Sequence, residues 1–496
     1  MPNVALLQQG DVSLIFMQKN HTMKSNYTLL ILLVLSVALP LQAQSEKKAL
    51  QTIDNQTDKY EDIALQIWEW AEMGYQETKS SALLQKTLKD AGFAVTAGIA
   101  DIPTAFVAEF GTGGPVIAIL GEFDALPGLS QKAEPQKASA GQIGGHACGH
   151  HLFGTASTAA AIALKDWLIS SKTEGRIRFY GCPAEEGGGA KVYMSRAGVF
   201  DDVDVALHWH PGSSNAANSA AALSNISAKF RFYGTAAHAA GAPQQGRSSL
   251  DGVEAMNNMV NMMREHVPQE SRIHYVITDG GKAPNVVPDY AEVYYYARHP
   301  QRDEVRAIFN RIVKAGEGAA LGTETRMEYE IINGVHELLP NSTLQKLVYS
   351  KLAELGGYTY NQEETAFGEK ISKTLASPRP LSVSQEVQPY SEIGRAGGST
   401  DVGDVSFVVP TVGFRTATWV PGTPAHSWQA VAAGGTSIGI KGMVLASKTL
   451  TLTGIELFKN PKLIKEAKEE FNERRGPDFV YEPLIGDRSP ALDYRN

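Results

Sequence analysis

The feature that most constrains the fold of this chain is a change in the order of its predicted strands and helices near residue 225. Before that point an apolar helical spacing runs from 58 to 91 and ends at Gly92. Strands then alternate with helices, with strands predicted at 107–110, 116–120, 177–180 and 203–209 and helices at 153–168 and 190–197. This alternation favours a parallel or mixed sheet that is covered by helices on both faces.

Between residues 225 and 335 the predicted order becomes β-α-β-β-α-β. The strands are predicted at 229–233, 273–278, 291–296 and 327–332, and the helices at 250–266 and 305–316. This order is the split βαβ unit, so we expect a compact domain inserted into the α/β domain. The alternation resumes with a helix at 341–355 and a strand at 411–415, and residues 372–388 are predicted to form a long loop.

Composition excludes several classes of protein. The chain has 496 residues, 43% of them hydrophobic, with 45 Lys and Arg against 53 Asp and Glu, which gives a net charge of −8. This is a globular composition without the basic surface that nucleic-acid binding requires. Its two cysteines, Cys148 and Cys182, exclude a disulfide-scaffolded protein, although one bridge between them stays open.

The N-terminal region predicts export. An apolar run of 13 residues, 29–41, follows Lys24 and precedes a Gln-Ala-Gln sequence. A short basic region, an apolar stretch and a small residue at a cleavage site are typical of a signal peptide. We expect the signal to start at Met23, the mature chain to begin near Gln44, and the protein to be periplasmic. The alternative is an uncut membrane anchor; no other segment is long and apolar enough to cross a membrane.

Histidines concentrate in Gly-, Ala- and Pro-rich stretches at predicted element ends, where sites are commonly built. The first stretch is GGHACGHHLFG, residues 144–154, which opens a helix. Cys148 and His150 stand two residues apart on that turn, so both can face one metal ion. The alternative is a buried thiol with histidines that cap the helix.

Two further stretches follow predicted strands. In PAEEGGGA, residues 183–190, adjacent glutamates point in opposite directions, so one can bind a metal while the other addresses a metal-bound water. A solvated acidic turn is the alternative. In ALHWHP, residues 206–211, the period of two sends His208 and His210 to the same face, so spacing does not choose between them.

A last histidine, His426, lies in the late loop sequence TPAHSWQ. Alone it would be read as a surface residue. Together with a thiolate, further imidazoles and a carboxylate it completes a ligand set that borderline divalent ions prefer. The sequence therefore predicts a site for two divalent ions.

Seven motifs in order, spread over residues 58–475, resemble the aminoacylase and carboxypeptidase-type metallohydrolases. These are GEFDALP (121–127), HACGHH (146–151), PAEEGGGA, ALHWHP, GTAAHAAGAPQQGRSSLDGV (234–253), PNVVPDYAEV (284–293) and GSTDVGDVS (398–406). Within that family the sequence is most similar to the amidohydrolase branch that contains hippurate, auxin-conjugate and p-aminobenzoyl-glutamate hydrolases.

The resemblance implies an α/β fold. It consists of a di-metal phosphorylase/hydrolase-like catalytic domain, with a mixed sheet flanked by helices, plus an inserted ferredoxin-like lid that dimerises. On this basis the chain divides into an N-terminal extension with signal peptide, a first catalytic segment, the lid, a second catalytic segment and a C-terminal tail, at 1–44, 45–224, 225–335, 336–480 and 481–496.

The resemblance also implies residue roles. The expected metal ligands are Cys148, His150, Glu186, His208 and His426, with His210 as the alternative to His208. Glu185 is the expected general base and Asp124 an aspartate that orients the site. In the lid, His238 is expected to reach the partner subunit's active site and stabilise the oxyanion, while Asn285 and Arg298 bind the substrate's carbonyl or carboxylate.

The implied activity is metal-dependent hydrolysis of an N-acyl amino acid, here an aryl-acyl glutamate such as p-aminobenzoyl-glutamate, with two Zn or Mn ions. The implied assembly is a homodimer through the lid, or a heteromer with a related subunit. Departures from the family pattern at Glu122 and His151 leave the substrate open. The alternatives are a broader N-acyl-amino-acid or dipeptide hydrolase, a non-catalytic binding protein, and a cysteine hydrolase that uses Cys148 with His150.

Overall fold

The computed structural model describes residues 44–218, 222–392 and 397–495. The predicted start at Met23 and the apolar run at 29–41 lie outside these residues. Helix α1 covers 44–55 within the described part of the chain. The other helices are α2 Thr57–Trp70, α3 Thr78–Asp90, α4 His150–Ser171, α5 Ala190–Arg196, α6 Ser249–Met263, α7 Arg302–Thr323, α8 Ser342–Leu355, α9 Gln362–Ser372, α10 Val402–Ser406, α11 Trp428–Gly434, α12 Ser437–Lys459 and α13 Pro461–Arg475.

Fourteen strands lie within the described residues. They are β1 Ala94–Ala97, β2 Phe106–Thr112, β3 Val116–Glu122, β4 Leu126–Pro127, β5 Gly144–Gly145, β6 Gly175–Cys182, β7 Val205–Leu207, β8 His210–Gly212, β9 Ser224–Tyr233, β10 Arg272–Asp279, β11 Tyr290–His299, β12 Arg326–Val335, β13 Thr411–Val412 and β14 Arg415–Ala417.

The larger sheet is mixed and has the order β1-β2-β6-β3-β7-β13. Strands β6, β3, β7 and β13 are parallel to one another, while β2 is antiparallel to both of its neighbours, β6 and β1. The Ala-rich helix α4 packs against α12 on one face, within a core that includes Phe153, Phe179 and Trp209. Tyr180, Met194 and Phe200 pack on the other face. A mixed sheet with helices on both faces is thus confirmed.

The second sheet has the order β10-β11-β9-β12, and all its neighbours are antiparallel. Helices α6 and α7 cover one face through a core of its own that contains Phe230, Met256 and Tyr295. A βαββαβ chain with this strand order is the ferredoxin-like arrangement, so the predicted lid fold is confirmed. We call residues 224–335 the lid.

Three predicted elements differ from the observed ones. The predicted helix at 58–91 is two helices, because residues 71–77 leave the helical path at Ala71, which has φ 44°, and Met73 pairs with Ala125. The predicted strand at 411–415 is split between two sheets as β13 and β14. The predicted loop at 372–388 contains a short 3₁₀ turn, Leu381–Gln385.

In the part of the chain that the structure describes, no single helix is long and apolar enough to span a membrane. One bent pair, α11 with α12 at 73°, passes that test by length and composition. Much of α12 is buried and packs against α4 and α8, which accounts for its apolar composition.

Candidate metal centre and active site

The site lies at the carboxyl ends of strands β3 and β6, beside the first residue of α4. Strand β3 leads into Glu122 and Asp124, β6 leads into Glu185 and Glu186, and His150 begins α4. Strands β3 and β6 are parallel neighbours, so their carboxyl ends lie at one edge of the sheet. Loops at that edge are the usual place for a ligand site in an α/β protein.

Three groups of side chains come close enough to hold metal ions. In each group the donor atoms lie within 4.8 Å of one another. The groups are Cys148 with His150 and His210, Cys148 with Glu186 and His426, and Glu122 with His150 and Glu185. Because Cys148 belongs to two groups, the arrangement has the form of a pair of adjacent sites that share a ligand.

Glycine makes the turn between Cys148 and His150 possible. Gly149 has φ 78°, and a Cβ there would stand 2.7 Å from the Pro211 ring. A residue with a side chain would be both strained and obstructed at this position. The two donor residues therefore depend on Gly149 to face the same point.

His150 is held in position by Asp124, the aspartate that the family resemblance implies orients the site. Its Nδ1 lies 2.8 Å from Asp124 Oδ1, and the other Asp124 oxygen accepts from the backbone N–H of Glu186 at 2.9 Å. This leaves His150 Nε2 facing the other side chains of the three groups, which together we call the cluster. A histidine fixed by a carboxylate in this way is the usual arrangement around a bound metal.

His210, and not His208, lies in the cluster. The Nε2 of His210 is 3.4 Å from Cys148 Sγ, while its Nδ1 lies 2.8 Å from the Pro211 carbonyl. Burial, followed by the charges of His150 and Arg415, lowers the pKa of His210 well below its ordinary value. The ring is therefore neutral and can offer Nε2 to a metal.

The placement of His208 corrects the preferred expectation. Its ring lies against the backbone of Gly413, where an added Cβ would be 2.2 Å from Nε2, and it is in none of the three groups. The reason is that β7 ends at Leu207, and the chain joins a different sheet at His210. The alternation of a strand does not apply across that break.

His426 closes the cluster from the opposite loop. Its Nε2 is 3.0 Å from Glu186 Oε1, and its backbone N–H donates to the Ala147 carbonyl at 3.0 Å. The residue has φ 58°, a conformation that costs free energy for a residue other than glycine and that recurs at functional sites. Its side chain is 53% exposed, so this end of the cluster is open to solvent.

Glu185 stands beside the cluster with a perturbed acidity. Burial, followed by the carboxylates of Glu122 and Glu186, raises the pKa of Glu185 well above its ordinary value. A carboxylate with a raised pKa close to metal ligands is suited to accept a proton from a water molecule.

A buried lysine that was not expected from the sequence lies at the same edge of the sheet and pairs with its carboxylates. Lys191 Nζ lies 2.7 Å from Glu122 Oε1 and 2.6 Å from Asp401 Oδ1, and all three residues are almost completely buried. Although burial disfavours its charge, Asp401 and Glu122 raise the pKa of Lys191 well above its ordinary value. Asp401 belongs to the GSTDVGDVS motif, but nothing in the AKVYM sequence around Lys191 indicated its role.

The cysteines are both free thiols. Cys182 is buried and 3.3 Å from the Tyr180 carbonyl, away from Cys148. Burial, followed by the charge of Glu186, raises the pKa of Cys148 well above its ordinary value.

The predicted lid residues belong to none of the three candidate ligand groups. His238 and Asn285 are exposed on neighbouring loops, where the Ala239 N–H donates to the Asn285 carbonyl at 3.0 Å. His238 Nδ1 accepts from the N–H groups of Ala240 and Gly241, which leaves Nε2 protonated and pointing away from its own turn. Arg298 lies on β11 with its guanidinium over the Tyr296 ring.

Comparison with known proteins agrees with this geometry. Residues 222–323 match the peptidase dimerisation domain of the M20 family. The chain is 43% identical to the B subunit of p-aminobenzoyl-glutamate hydrolase from Escherichia coli, over 88% of this chain and 97% of that protein. It is 28% identical to mouse Xaa-Arg dipeptidase, over 86% and 92% of the two chains.

Among solved structures, the fold is similar to that of a Bacillus subtilis protein described as a dinuclear metal-binding M20 peptidase. The TM-score is 0.56 at 18% identity, over 82% of this chain and 99% of that one. With the sequence likeness over almost the whole length, these matches confirm the family resemblance drawn from the motifs. The chain therefore belongs to the M20 peptidase family, among the amidohydrolases that include the B subunit of p-aminobenzoyl-glutamate hydrolase.

Proposed function

We propose that this chain is a di-metal amidohydrolase that cleaves the amide bond of an aryl-acyl glutamate such as p-aminobenzoyl-glutamate. One observation carries the proposal. Two groups that share Cys148, one with His150 and His210 and the other with Glu186 and His426, each bring their donor atoms within 4.8 Å, and Glu185 lies equally close to His150. The likeness to the Escherichia coli hydrolase supports the choice of substrate.

The residues present fit two divalent ions. Three buried atoms of the candidate ligand groups make no well-formed hydrogen bond within the described part of the chain, namely Glu122 Oε2, His150 Nε2 and Glu186 Oε1. The first two lie 3.2 Å apart, and Glu186 Oε1 lies 3.0 Å from His426 Nε2. Buried polar atoms without partners are costly, and a bound cation would satisfy all three. Thiolate, imidazole and carboxylate ligands together suit zinc, while manganese is the alternative.

Each residue then has a distinct task. When bound, the metals would acidify a water molecule and polarise the substrate carbonyl. Glu185 accepts the proton of that water and returns a proton to the departing amine. Asp124 keeps His150 in one tautomer, and Lys191 with Asp401 keeps Glu122 in place. His238 donates from Nε2 to the developing oxyanion.

The lid contributes to the proposed assembly. Strand β10 is at the edge of the lid sheet, with Val276 56% exposed, and Met262 on α6 is 65% exposed. An open strand edge beside exposed apolar side chains is suited to pairing with another chain. We propose a homodimer through β10 and α6, which would bring His238 to the partner subunit's active site. A heteromer with a related subunit is the alternative.

Export remains a proposal that rests on the apolar run at 29–41. Expression of the full chain followed by cell fractionation tests it. We expect processed protein in the periplasm. Full-length protein in the membrane fraction would favour the anchor, and full-length protein in the cytoplasm would exclude both.

The enzymatic proposal is tested by metal removal and by one substitution. We expect metal-stripped protein to have background amidase activity on p-aminobenzoyl-glutamate, and added Zn²⁺ or Mn²⁺ to restore it. We expect Glu185→Gln to lose on the order of 10²–10⁴-fold in kcat, which is the usual contribution of a general base. The variant should still bind metal, measured by metal analysis after gel filtration.

Glu363→Gln is a matched control, because Glu363 is exposed on α9. It should keep full activity. Full activity of Glu185→Gln would remove Glu185 as the base, and activity that survives complete metal removal would exclude the proposed chemistry.

A broader N-acyl-amino-acid or dipeptide hydrolase is the second candidate, since the chain is also similar to Xaa-Arg dipeptidase over most of its length. Turnover of p-aminobenzoyl-glutamate, hippurate and simple dipeptides by one enzyme preparation separates the two. A preference of less than tenfold for p-aminobenzoyl-glutamate would favour the broader activity.

A further inference from the structure

Residues 481–495, here called the return segment, lead the chain back to the active site. The segment leaves the catalytic domain at Tyr481, whose hydroxyl donates to Asp404 Oδ1 at 2.7 Å. Leu484 is buried in the lid core, and Ile485 is buried beside Ala184 and Tyr193 of the catalytic domain. The segment therefore packs on both domains.

Two arginines fix its path further along. Arg196 Nη1 donates to the carbonyls of Gly486 and Arg488 at 2.8 and 2.9 Å. Arg488 Nη1 donates to the Ile332 carbonyl of lid strand β12 at 2.8 Å. These contacts direct the next residues toward the PAEEGGGA loop.

The segment ends on the backbone of a candidate metal ligand. The Tyr494 hydroxyl donates to the Glu186 carbonyl at 3.1 Å, and Arg495 Nη2 donates to the same carbonyl. The Tyr494 ring packs edge-on against Tyr75 at 5.6 Å, over Gly74, where a Cβ would be 2.1 Å from the Tyr494 hydroxyl. Arg495 is thus held one peptide unit from the metal cluster.

Among the described residues Arg495 is in no ion pair and its buried Nε has no acceptor, and its guanidinium lies 4.7 Å from the ring centre of Tyr494. Arg302 shows the ordinary situation, because its Nη1 lies 2.8 Å from Glu337 Oε1. A partly buried guanidinium without a carboxylate beside the active site can accept one from a ligand.

A second arginine in the same state lies on the lid face. Arg298 also has a buried Nε without an acceptor and no ion pair in the described part of the chain, and its guanidinium is 5.2 Å from the Tyr296 ring centre. Tyr296 and Tyr294 lie side by side on β11, with hydroxyls 3.3 Å apart. Tyr294, Tyr296 and Arg298 alternate along β11, so their side chains lie on one face of the lid sheet.

We propose that Arg495 is a specificity-determining residue that binds the side-chain carboxylate of the substrate's amino-acid part, while Arg298 binds its α-carboxylate. This inference rests on the proposed function and deepens it, because it predicts a preference for N-acyl dicarboxylic amino acids. A substrate with two carboxylates matches two arginines that each have a buried Nε without an acceptor among the described residues. A neutral side chain would leave the Arg495 guanidinium without its partner.

The test varies the charge of the substrate and of residue 495. The metal-loaded wild type, Arg495→Gln, Arg495→Lys and the control Arg474→Gln are assayed on p-aminobenzoyl-glutamate and p-aminobenzoyl-glutamine. Arg474 is a suitable control because it is paired with Glu470 on α13. We expect the wild type to prefer the glutamate substrate at least tenfold in kcat/KM, and Arg474→Gln to keep that preference.

Arg495→Gln should reduce the preference to near one, mainly through a higher KM, and Arg495→Lys should restore part of it. An equal loss on both substrates would assign Arg495 a structural role and overturn the inference, as would an unchanged preference. Circular dichroism and metal content show whether each variant is folded and loaded.

A binding measurement keeps this inference separate from the proposed function. Calorimetric titration of the metal-loaded proteins with free glutamate and free glutamine should show tighter glutamate binding by the wild type, and no such difference for Arg495→Gln. If the wild type turns over neither substrate but shows this pattern, the proposed function fails and the carboxylate site stands. Turnover with a charge preference that is independent of Arg495 would instead support the proposed function and overturn the carboxylate site.

Discussion

The cluster of candidate metal ligands and the loops of the lid differ in how fully one subunit holds their side chains in position. Around His150, the ring position is fixed by Asp124, the neighbouring loop is tied to that aspartate, and Lys191 neutralises adjacent carboxylates. His238 in the lid is exposed and contacts its own turn, with no catalytic side chain within hydrogen-bond distance among the described residues. The first region is preorganised within a subunit, whereas the second meets no catalytic side chain of its own subunit among the described residues.

The physical difference is burial. Apart from the exposed His426, the cluster side chains are buried or half-buried, so an unpartnered donor or acceptor there is costly unless another residue or a metal satisfies it. An exposed histidine has no such cost, because water can satisfy its unpartnered ring nitrogen. In the proposed dimer, metal binding is therefore a property of one subunit and oxyanion stabilisation a property of the pair.

The largest expected effect separates the two histidines that the sequence left open. We expect His210→Ala to lower activity at least about 1,000-fold and metal affinity more than about 100-fold, since losing even an indirect supporting partner costs roughly 10- to 100-fold. His208→Ala should keep metal at wild-type stoichiometry. Metal titration of both variants checks this, and metal loss in His208→Ala alone would reverse the assignment.

The next effect tests whether the lid acts on the partner subunit. His238→Ala should lose on the order of 100-fold in kcat, as when one oxyanion donor is removed. Mixing it with Glu185→Gln, after dissociation and reassociation, should recover about a quarter of wild-type activity, because half the dimers then contain one complete site. No recovery despite proven subunit exchange would mean that His238 acts within its own chain.

A smaller effect on each intact site is expected at the lid edge. Val276→Lys places a charge on the exposed strand β10 and should weaken the dimer, observed as concentration-dependent dissociation in analytical ultracentrifugation. Activity should fall in parallel with the dimer fraction, while metal content is unchanged. Val480→Lys is the control, since Val480 is 75% exposed outside the lid. A variant that stays dimeric would exclude this edge as the interface.

The smallest effect on activity concerns the joint between the two regions. Asp404 accepts from the N–H of His336, just after β12, and from Tyr481 at the start of the return segment. Burial raises the pKa of Asp404 from 3.8 to about 7. The folded protein therefore binds more protons than the unfolded chain between these pH values, and this contribution to stability is present below about pH 4 and lost as the pH rises through 7.

Asp404→Asn should remove that dependence. Whatever the hydrogen-bond change costs at low pH, the melting temperature of the variant relative to wild type should rise between pH 5 and pH 8, by a few degrees. Asp303→Asn, at an exposed aspartate of α7, should show a flat difference. A flat difference for Asp404→Asn would contradict the raised pKa.

Several elements were predictable because they depend on local pattern. The strand and helix order of the lid follows from short-range periodicity, and the observed sheet has the expected connectivity. Cys148, His150 and His426 were indicated by donor type and by their position at element ends, whereas the choice of Glu186 over Glu185 came from the family resemblance. Signals of this kind survive in a single sequence because chemistry restricts which residues can serve.

Other features depended on contacts between distant parts of the chain. The choice of His210 required knowing that β7 stops at Leu207, and the break at 71–77 depends on pairing with Ala125. Lys191 sits in a sequence typical of a buried helix, and its charge makes sense only beside Glu122 and Asp401. Arg495 lies more than 300 residues from Glu186, the residue that it contacts.

The amino-acid sequence by itself determined the α/β class, the inserted βαββαβ unit and the identity of most candidate ligands, because periodicity and donor chemistry are local. Only the tertiary structure decided which histidine joins the cluster, which buried lysine balances its carboxylates, and where the return segment ends. These depend on the burial and mutual distance of residues far apart in the chain, and both quantities arise only when the domains pack.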